Sequence, residues 1–478
     1  MAPVAYLFCW VFIAFLLVLD SRRRVSVSAA TWIPTVMLFI LSTRTPAEWL
    51  QERVQFTDLA NNRSGSLTDQ IFFAAMIIAS LLVLYLRRTK WSKLFAANVA
   101  IILLYGYFVI SCLWSTYPQD SLVRVLKDFG ATIIVISVIF SEKKPLEALR
   151  AVYVRCACVA IPLSVILVKL SHFGKQYARN GDVMYRGAAT QKNSLGELVL
   201  IFIMFLVWDH LEARSAAGAK RLWSGMKWDR VVLLLMGIWL LNLSQSQTSL
   251  VSLIIGLSLL LRTGWLASRK VSRLVFAVAL SLPLLVLCTQ KFAFVFTPLF
   301  HMLGRDATFT GRTDIWRQIT FSTVNPAIGA GFWNFWGGPG GRAIAIGGQS
   351  GIPNAHDGYL DIYLDGGLIG LFLLSCVLVT CGRRLIKDLP VHGYYRLRFA
   401  FLILAIVHNV TESSFCRLSG LWFTTVLILL EFPSLRAKLN SISVRRRAIS
   451  RSAPIRPDMA AQPRADGVSG TGLRQEMV

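Results

Sequence analysis

Long apolar runs separated by short basic stretches set the pattern of this chain. The runs centre on residues 3–19, 25–41, 71–86, 94–114, 127–140, 156–170, 195–208, 231–244, 250–261, 274–289, 367–381, 399–410 and 420–433. A helix needs about 20 largely apolar residues to cross the hydrocarbon core. The pattern therefore predicts an all-α, polytopic integral membrane protein with about 12–13 transmembrane helices over residues 1–433. The longest polar interval, residues 290–366, is expected as one large extracytoplasmic loop. Residues 434–478 are rich in Arg, Ser and Pro and too poor in apolar residues to build a core, so they are expected as a disordered, basic cytoplasmic tail.

Charge orients the spans. Of the 50 Lys and Arg residues, 34 fall on alternate loops that begin with Arg22–Arg24 and end with the tail. Lys and Arg resist translocation, so these loops and the C-terminus are placed in the cytoplasm. The net charge of +25 does not indicate nucleic acid, because it is dispersed over short loops rather than gathered on a binding face. Arg445–Arg447 in the tail are either a topology anchor or a contact to anionic lipid headgroups. A composition 55% hydrophobic and 16% charged agrees with a membrane location, and no separate soluble domain is evident. The start MAPVAYLFCW lacks the basic region of a secretory signal and is expected as a retained span. The eight cysteines, without a CxxC pair, read as small buried hydrophobes.

The remaining loops, including Ser42–Gln70, Ser171–Ser194 and Thr411–Ser419, then face outward together with 290–366. Cytosolic nucleotides do not reach that side, and no Walker or GxGxxG pattern occurs. The outer loops nevertheless hold candidate chemistry. Arg312, in TFTGRTDIW, precedes an amphipathic stretch containing Trp316 that Thr310 or Thr313 would cap; its fork suits a phosphate, although a solvated loop arginine is an equal alternative. Arg186 and Lys192 stand at the mouth of the next span and would grip a diphosphate or simply anchor the interface. His356, in Asn354-Ala355-His356-Asp357, is suited to accepting a proton from a hydroxyl near neutral pH. Asp357 and Asp361 are near it in sequence, which does not establish that either orients it. Ser244–Ser249 would line a polar cavity or join helices. Glu412 and Arg417 would pair with one another or reach the site. No HxH or HExxH occurs, so no metal site is expected.

These pieces, in the order TWIPTVMLFILS, SCLWSTYPQDSLVR, YRGAATQKNSLGE, LSQSQTSLV, TGRTDIW with NPAIGAGFWNFW, NAHDGYLDIYLDGGLIGLFLL and TESSFCR, cover most of the chain to about Phe432. On them the chain resembles the O-antigen ligase and O-antigen polymerase superfamily, and most of all bacterial exopolysaccharide polymerases. The resemblance implies a helical, metal-independent membrane glycosyltransferase that needs no cofactor. Its implied function is polymerisation of undecaprenyl-diphosphate-linked repeat units on the periplasmic face of the inner membrane. The family's cations around the donor diphosphate map onto Arg312, Arg186 and Lys192, and its loop histidine onto His356. Trp316, Asn354, Asp357 and Glu412 complete the expected substrate-binding set. Where the family often has Glu before its paired glycines this chain has Asp365, to which no catalytic role is given. Membrane lipids and a chain-length-regulating co-polymerase are the implied partners. Two other readings stay open: a ligase that moves finished polysaccharide to a lipid A core, and a transporter of the lipid-linked saccharide, against which stands the lack of a visible internal repeat.

Overall fold

The computed structural model describes residues 2–23, 27–51, 66–177, 181–217, 225–262, 266, 268–291, 315–316, 318–319, 324–338, 340–341, 344–346, 349–350 and 354–452. The protein is all-α and polytopic. Each of the thirteen apolar stretches is mainly helical where it is described. Among the described residues five helices are long and apolar enough to cross a membrane: Pro3–Arg23, Leu67–Leu86, Pro145–Leu170, Lys192–Ser215 and Gly358–Asp388; the number is up to seven if two bent pairs each form one span. Several of the other stretches form shorter helices, such as Gln247–Leu261 and Gly420–Leu429, so apolar runs of one class fold into helices of unequal length.

Burial sorts the helices. The apolar windows of Pro145–Leu170 and Lys192–Ser215 are 83% and 78% buried, whereas those of Pro3–Arg23 and Leu67–Leu86 are each 17% buried. The first two are the centre of the bundle. The outer two expose Leu7, Phe8, Ile71 and Ile78, an apolar surface suited to lipid tails and not to water. The described cysteines are unpaired, and Cys112, Cys156, Cys158, Cys381 and Cys416 are buried as expected of small apolar side chains. Among the described residues strands are confined to two short antiparallel hairpins, Lys175–Tyr177 with Val183–Tyr185 and Ala345–Ile346 with Gln349–Ser350.

Two boundaries differ from expectation. The helix expected from 367 begins at Gly358, so the last residues of the 290–366 interval are its first turns. Asp357 starts it by accepting the Tyr359 and Leu360 amides at 2.9 and 3.0 Å. The helix then breaks at Gly367 (φ 62°, ψ −160°), where the PAIGAG segment docks on the break. The amides of Leu368 and Ile369 donate to the Pro326 and Ala327 carbonyls, and those of Ala330 and Gly331 donate to Leu364 and Asp365. Tyr107 seals the break by donating to the Gly366 carbonyl at 2.7 Å. The second difference is the tail. Pro433–Ser452 is helical, because that part has good helix formers and no internal proline; the side chains of Arg445–Arg447 and all of 453–478 lie outside the described residues.

Candidate functional site

The start of helix Gly358–Asp388 gathers the site. Asp357, Asp361 and Asp365 recur every four residues, which stacks them on one helix face. Asp361 is fully buried and is the hub. It accepts the Trp336 indole N–H at 2.7 Å, the Ala355 amide at 3.0 Å and the Ser413 hydroxyl, and Arg417 Nη2 lies 3.6 Å away. Through Ala355 this carboxylate fixes the backbone next to His356. Asp365, equally buried, accepts from Arg417 Nη1 at 3.0 Å. Trp333 packs its ring under Arg417 at 4.3 Å and near Arg124 at 4.6 Å, between two cations.

His356 sits half-buried at a left-handed backbone position (φ 51°). Its amide donates to Asn354 Oδ1 at 3.0 Å. Its ring Nδ1 is 3.2 Å from Glu412 Oε2, and Asn193 Nδ2 donates to the other Glu412 oxygen at 2.7 Å. Glu412 is held in turn by its loop, where Asn409 organises the turn through the Ser414 and Phe415 amides, and the Gly358 amide donates to the Asn409 carbonyl at 2.8 Å. Trp333 and Cys416, beside this cluster, are also left-handed (φ 57° and 53°). Non-glycine residues seldom adopt that conformation, at about 1–3 kcal/mol each, and such strain concentrates at functional sites.

The expected residues are partly reunited here. His356, Asn354 and Glu412 meet directly, and Asp357, next in sequence, caps the helix. Trp316 joins them by donating to the Ala355 carbonyl at 2.9 Å. Lys192 is the first residue of helix Lys192–Ala216, next to Asn193, which binds Glu412. Arg186 stands apart on the first hairpin, where it donates to the Phe173 carbonyl at 3.1 Å. Arg44 shares that carbonyl at 2.7 Å and lies over the Phe173 ring at 3.7 Å, so two cations meet there. Burial, and then the charge of Arg186, push the Arg44 guanidinium down to about 10. Arg312, Thr310 and Thr313 lie outside the described residues. Glu412 and Arg417 both reach the site, each with its own partner. Ser244–Ser249 works mainly as a cap and a joint: Ser246 accepts the Ser249 amide, and the Thr248 hydroxyl meets that of Thr411 at 2.9 Å. Among the described residues no three His, Cys, Asp or Glu side chains group as metal ligands.

Residues 231–375 match the O-Antigen ligase family. Over 211 residues the chain is 31% identical to the exopolysaccharide production protein ExoQ of Rhizobium meliloti (strain 1021). Over these stretches the chain is similar to the O-antigen ligase family and to an exopolysaccharide production protein. The alignment to ExoQ covers 42% of this chain and 46% of that protein, so it spans less than half of the curated relative. No solved structure matches the chain. The region that matches the ligase family includes His356, Asp361 and Asp365, whereas Asn193, Glu412 and Arg417 fall outside it. Glu412 and Arg417 contact His356 and Asp365 inside the region, and Asn193 reaches it through Glu412.

Proposed function

We propose that the chain polymerises undecaprenyl-diphosphate-linked oligosaccharide repeat units into exopolysaccharide on the periplasmic face of the inner membrane, with its C-terminus in the cytoplasm. The observation that carries this reading is the His356–Glu412 pair at the mouth of helix Gly358–Asp388. With Nδ1 turned to Glu412, the ring's Nε2 is directed away from it and is the nitrogen that faces substrate. An acceptor sugar hydroxyl oxygen attacks the anomeric carbon of the lipid-linked chain. The bond from that carbon to the diphosphate oxygen breaks, the electron pair leaves with the lipid diphosphate, and the hydroxyl proton passes to Nε2. Glu412 stabilises the imidazolium so formed and fixes the tautomer that can act as base. The diphosphate is a good leaving group whose charge needs neutralising, the role of Arg312, Arg186 and Lys192 in this proposal. The step uses neither metal nor nucleotide, and a co-polymerase would set chain length.

A second reading, ligation of finished polysaccharide to a lipid A core, is favoured by the description of the matched family as O-antigen ligase. The two share the site and differ in acceptor. Purified protein reconstituted with synthetic undecaprenyl-diphosphate repeat units and EDTA decides between them. A ladder of longer lipid-linked sugars supports the polymerase. Transfer only after lipid A core is added supports the ligase, and no transfer under either condition overturns both.

A further inference from the structure

At the far end of helix Gly420–Leu429 from the Glu412 loop, a cavity of about 660 Å³ opens between Arg87–Leu94, Ser137–Pro145 and Phe432–Lys438. It lies at two bends. The helix Trp91–Ala97 turns by 94° into Val99–Trp114, and Gly420–Leu429 turns by 65° into Pro433–Ile442. Asn98 locks these bends together: its Nδ2 donates to the Glu431 carbonyl at 2.8 Å, and its Oδ1 accepts the Glu431 amide at 2.7 Å. The cavity is therefore framed by a fixed joint rather than by loose loops.

Its lining is divided by chemistry. The apolar part is Leu94, Phe140, Phe432 and Leu435, all buried, with the Phe140 and Phe432 rings stacked at 4.0 Å. The polar part carries six basic residues, Arg87, Arg88, Lys90, Lys93, Lys143 and Lys438, against Glu142 alone. Glu142 is already bound by Arg87, which also donates to Ser141 at 2.7 Å. The remaining cations face the cavity with no carboxylate in its lining to neutralise them. The Thr89 hydroxyl, on the same wall, is a buried oxygen with no hydrogen-bond partner among the described residues. Such a group invites a ligand with oxygens, since an unmet buried polar atom is costly.

We propose that this cavity binds a phosphate group, supplied by the headgroup of an anionic phospholipid of the surrounding membrane. Phosphate matches the excess of cations and the Thr89 hydroxyl. The source is argued from the apolar lining, which suits the glycerol and first methylenes of a lipid, and from the two bends that bring the cavity to an end of the bundle. The site stands apart from the His356 chemistry and does not depend on it.

The test uses the full chain in nanodiscs, released for native mass spectrometry, with phosphatidylglycerol or phosphatidylcholine as the lipid. Wild type is expected to retain phosphatidylglycerol adducts and to lose phosphatidylcholine. Arg88→Gln with Lys90→Gln and Lys93→Gln should reduce the retained anionic lipid about tenfold or more. Arg269→Gln with Lys270→Gln, an exposed basic pair elsewhere, should not. If the triple variant is not monodisperse, Lys143→Gln with Lys438→Gln on the opposite wall decides in its place. Equal retention of both lipids, or unchanged adducts in the decisive variant, overturns the site. Displacement of the lipid by millimolar glycerol phosphate at no cost would make the source a soluble phosphate and overturn the lipid assignment.

Discussion

His356 Nδ1 lies 3.2 Å from Glu412 Oε2, across 56 residues of sequence. The contact ties the loop ahead of one helix to the turn between the next two, so the proposed base and its proposed orienting carboxylate come from separate elements. Asparagine tolerates a left-handed backbone better than alanine, which makes His356→Asn the cleaner test of the ring itself. It should lower polymer formation by about 10²–10⁴-fold with normal membrane insertion. Glu412→Gln keeps the side-chain shape and removes the charge, and should reduce the rate less than His356→Asn while shifting its pH profile. Full activity in His356→Asn, read as ladder length per unit time, removes the proton-acceptor role.

Asn193 tests the same pair from behind. It donates to Glu412 Oε1 at 2.7 Å and so directs the other oxygen to His356. Asn193→Asp places a second carboxylate against Glu412, which disfavours ionisation of both. Its rate should fall by about tenfold or more at neutral pH and recover partly in Asn193→Gln. Equal rates in the Asp and Gln variants, measured on the reconstituted protein, would mean that the amide does not position Glu412.

How much of this was legible in the sequence follows from its physics. The all-α, polytopic fold was, because a membrane forces backbone groups into helices and apolar length reports them directly. Short helices such as Gln247–Leu261 were not separable from full spans, because composition does not say where an apolar run bends or ends. His356 and Glu412 stood out singly as polar groups in outer loops. Their pairing did not, since nothing local encodes a contact over that distance. In the sequence Asp357 and Asp361 stand out only as neighbours of His356 and Asp365 only as the residue before the paired glycines, because the hub role of Asp361 needs Trp336, Ser413 and Arg417 to arrive from elsewhere. Asn193 carried no signal of its own beside the more conspicuous Lys192.

Arg417 and Asp365 form a buried pair at 3.0 Å, with side chains 8% and 1% exposed. Removing Asp365 leaves the buried Arg417 charge only its longer contact to Asp361 at 3.6 Å, so Asp365→Ala should destabilise the protein by up to about 3 kcal/mol. Asp365→Ala combined with Arg417→Met removes both charges and should recover a large part of that loss. Thermal unfolding in detergent measures both variants. Additive losses in the double variant would show that the two residues do not act as a pair. Activity separates structure from chemistry: a double variant that regains stability but makes no polymer would place Arg417 in the catalytic machinery as well.

Gly367 carries the last prediction, which concerns the break that positions the site. Its φ of 62° is strained for any side chain, and a Cβ there would lie 2.3 Å from the Ala327 carbonyl carbon and oxygen. The docked PAIGAG backbone cannot retreat cheaply, because its amides and carbonyls are paired with both sides of the break. Gly367→Ala should therefore cost about 1–3 kcal/mol or more and displace the PAIGAG segment, which leads into Trp333 and Trp336. Gly106 is the contrast within helix Val99–Ser111: it has open space around its Cβ position, so Gly106→Ala should be neutral or stabilising by up to about 1 kcal/mol. Thermal unfolding of the two variants, with Trp fluorescence as a report on Trp333 and Trp336, gives the comparison. Gly367→Ala with wild-type stability and an unchanged Trp spectrum would mean that the break is not held by this approach of two backbones, and that Asp361 and Asp365 keep their places without it.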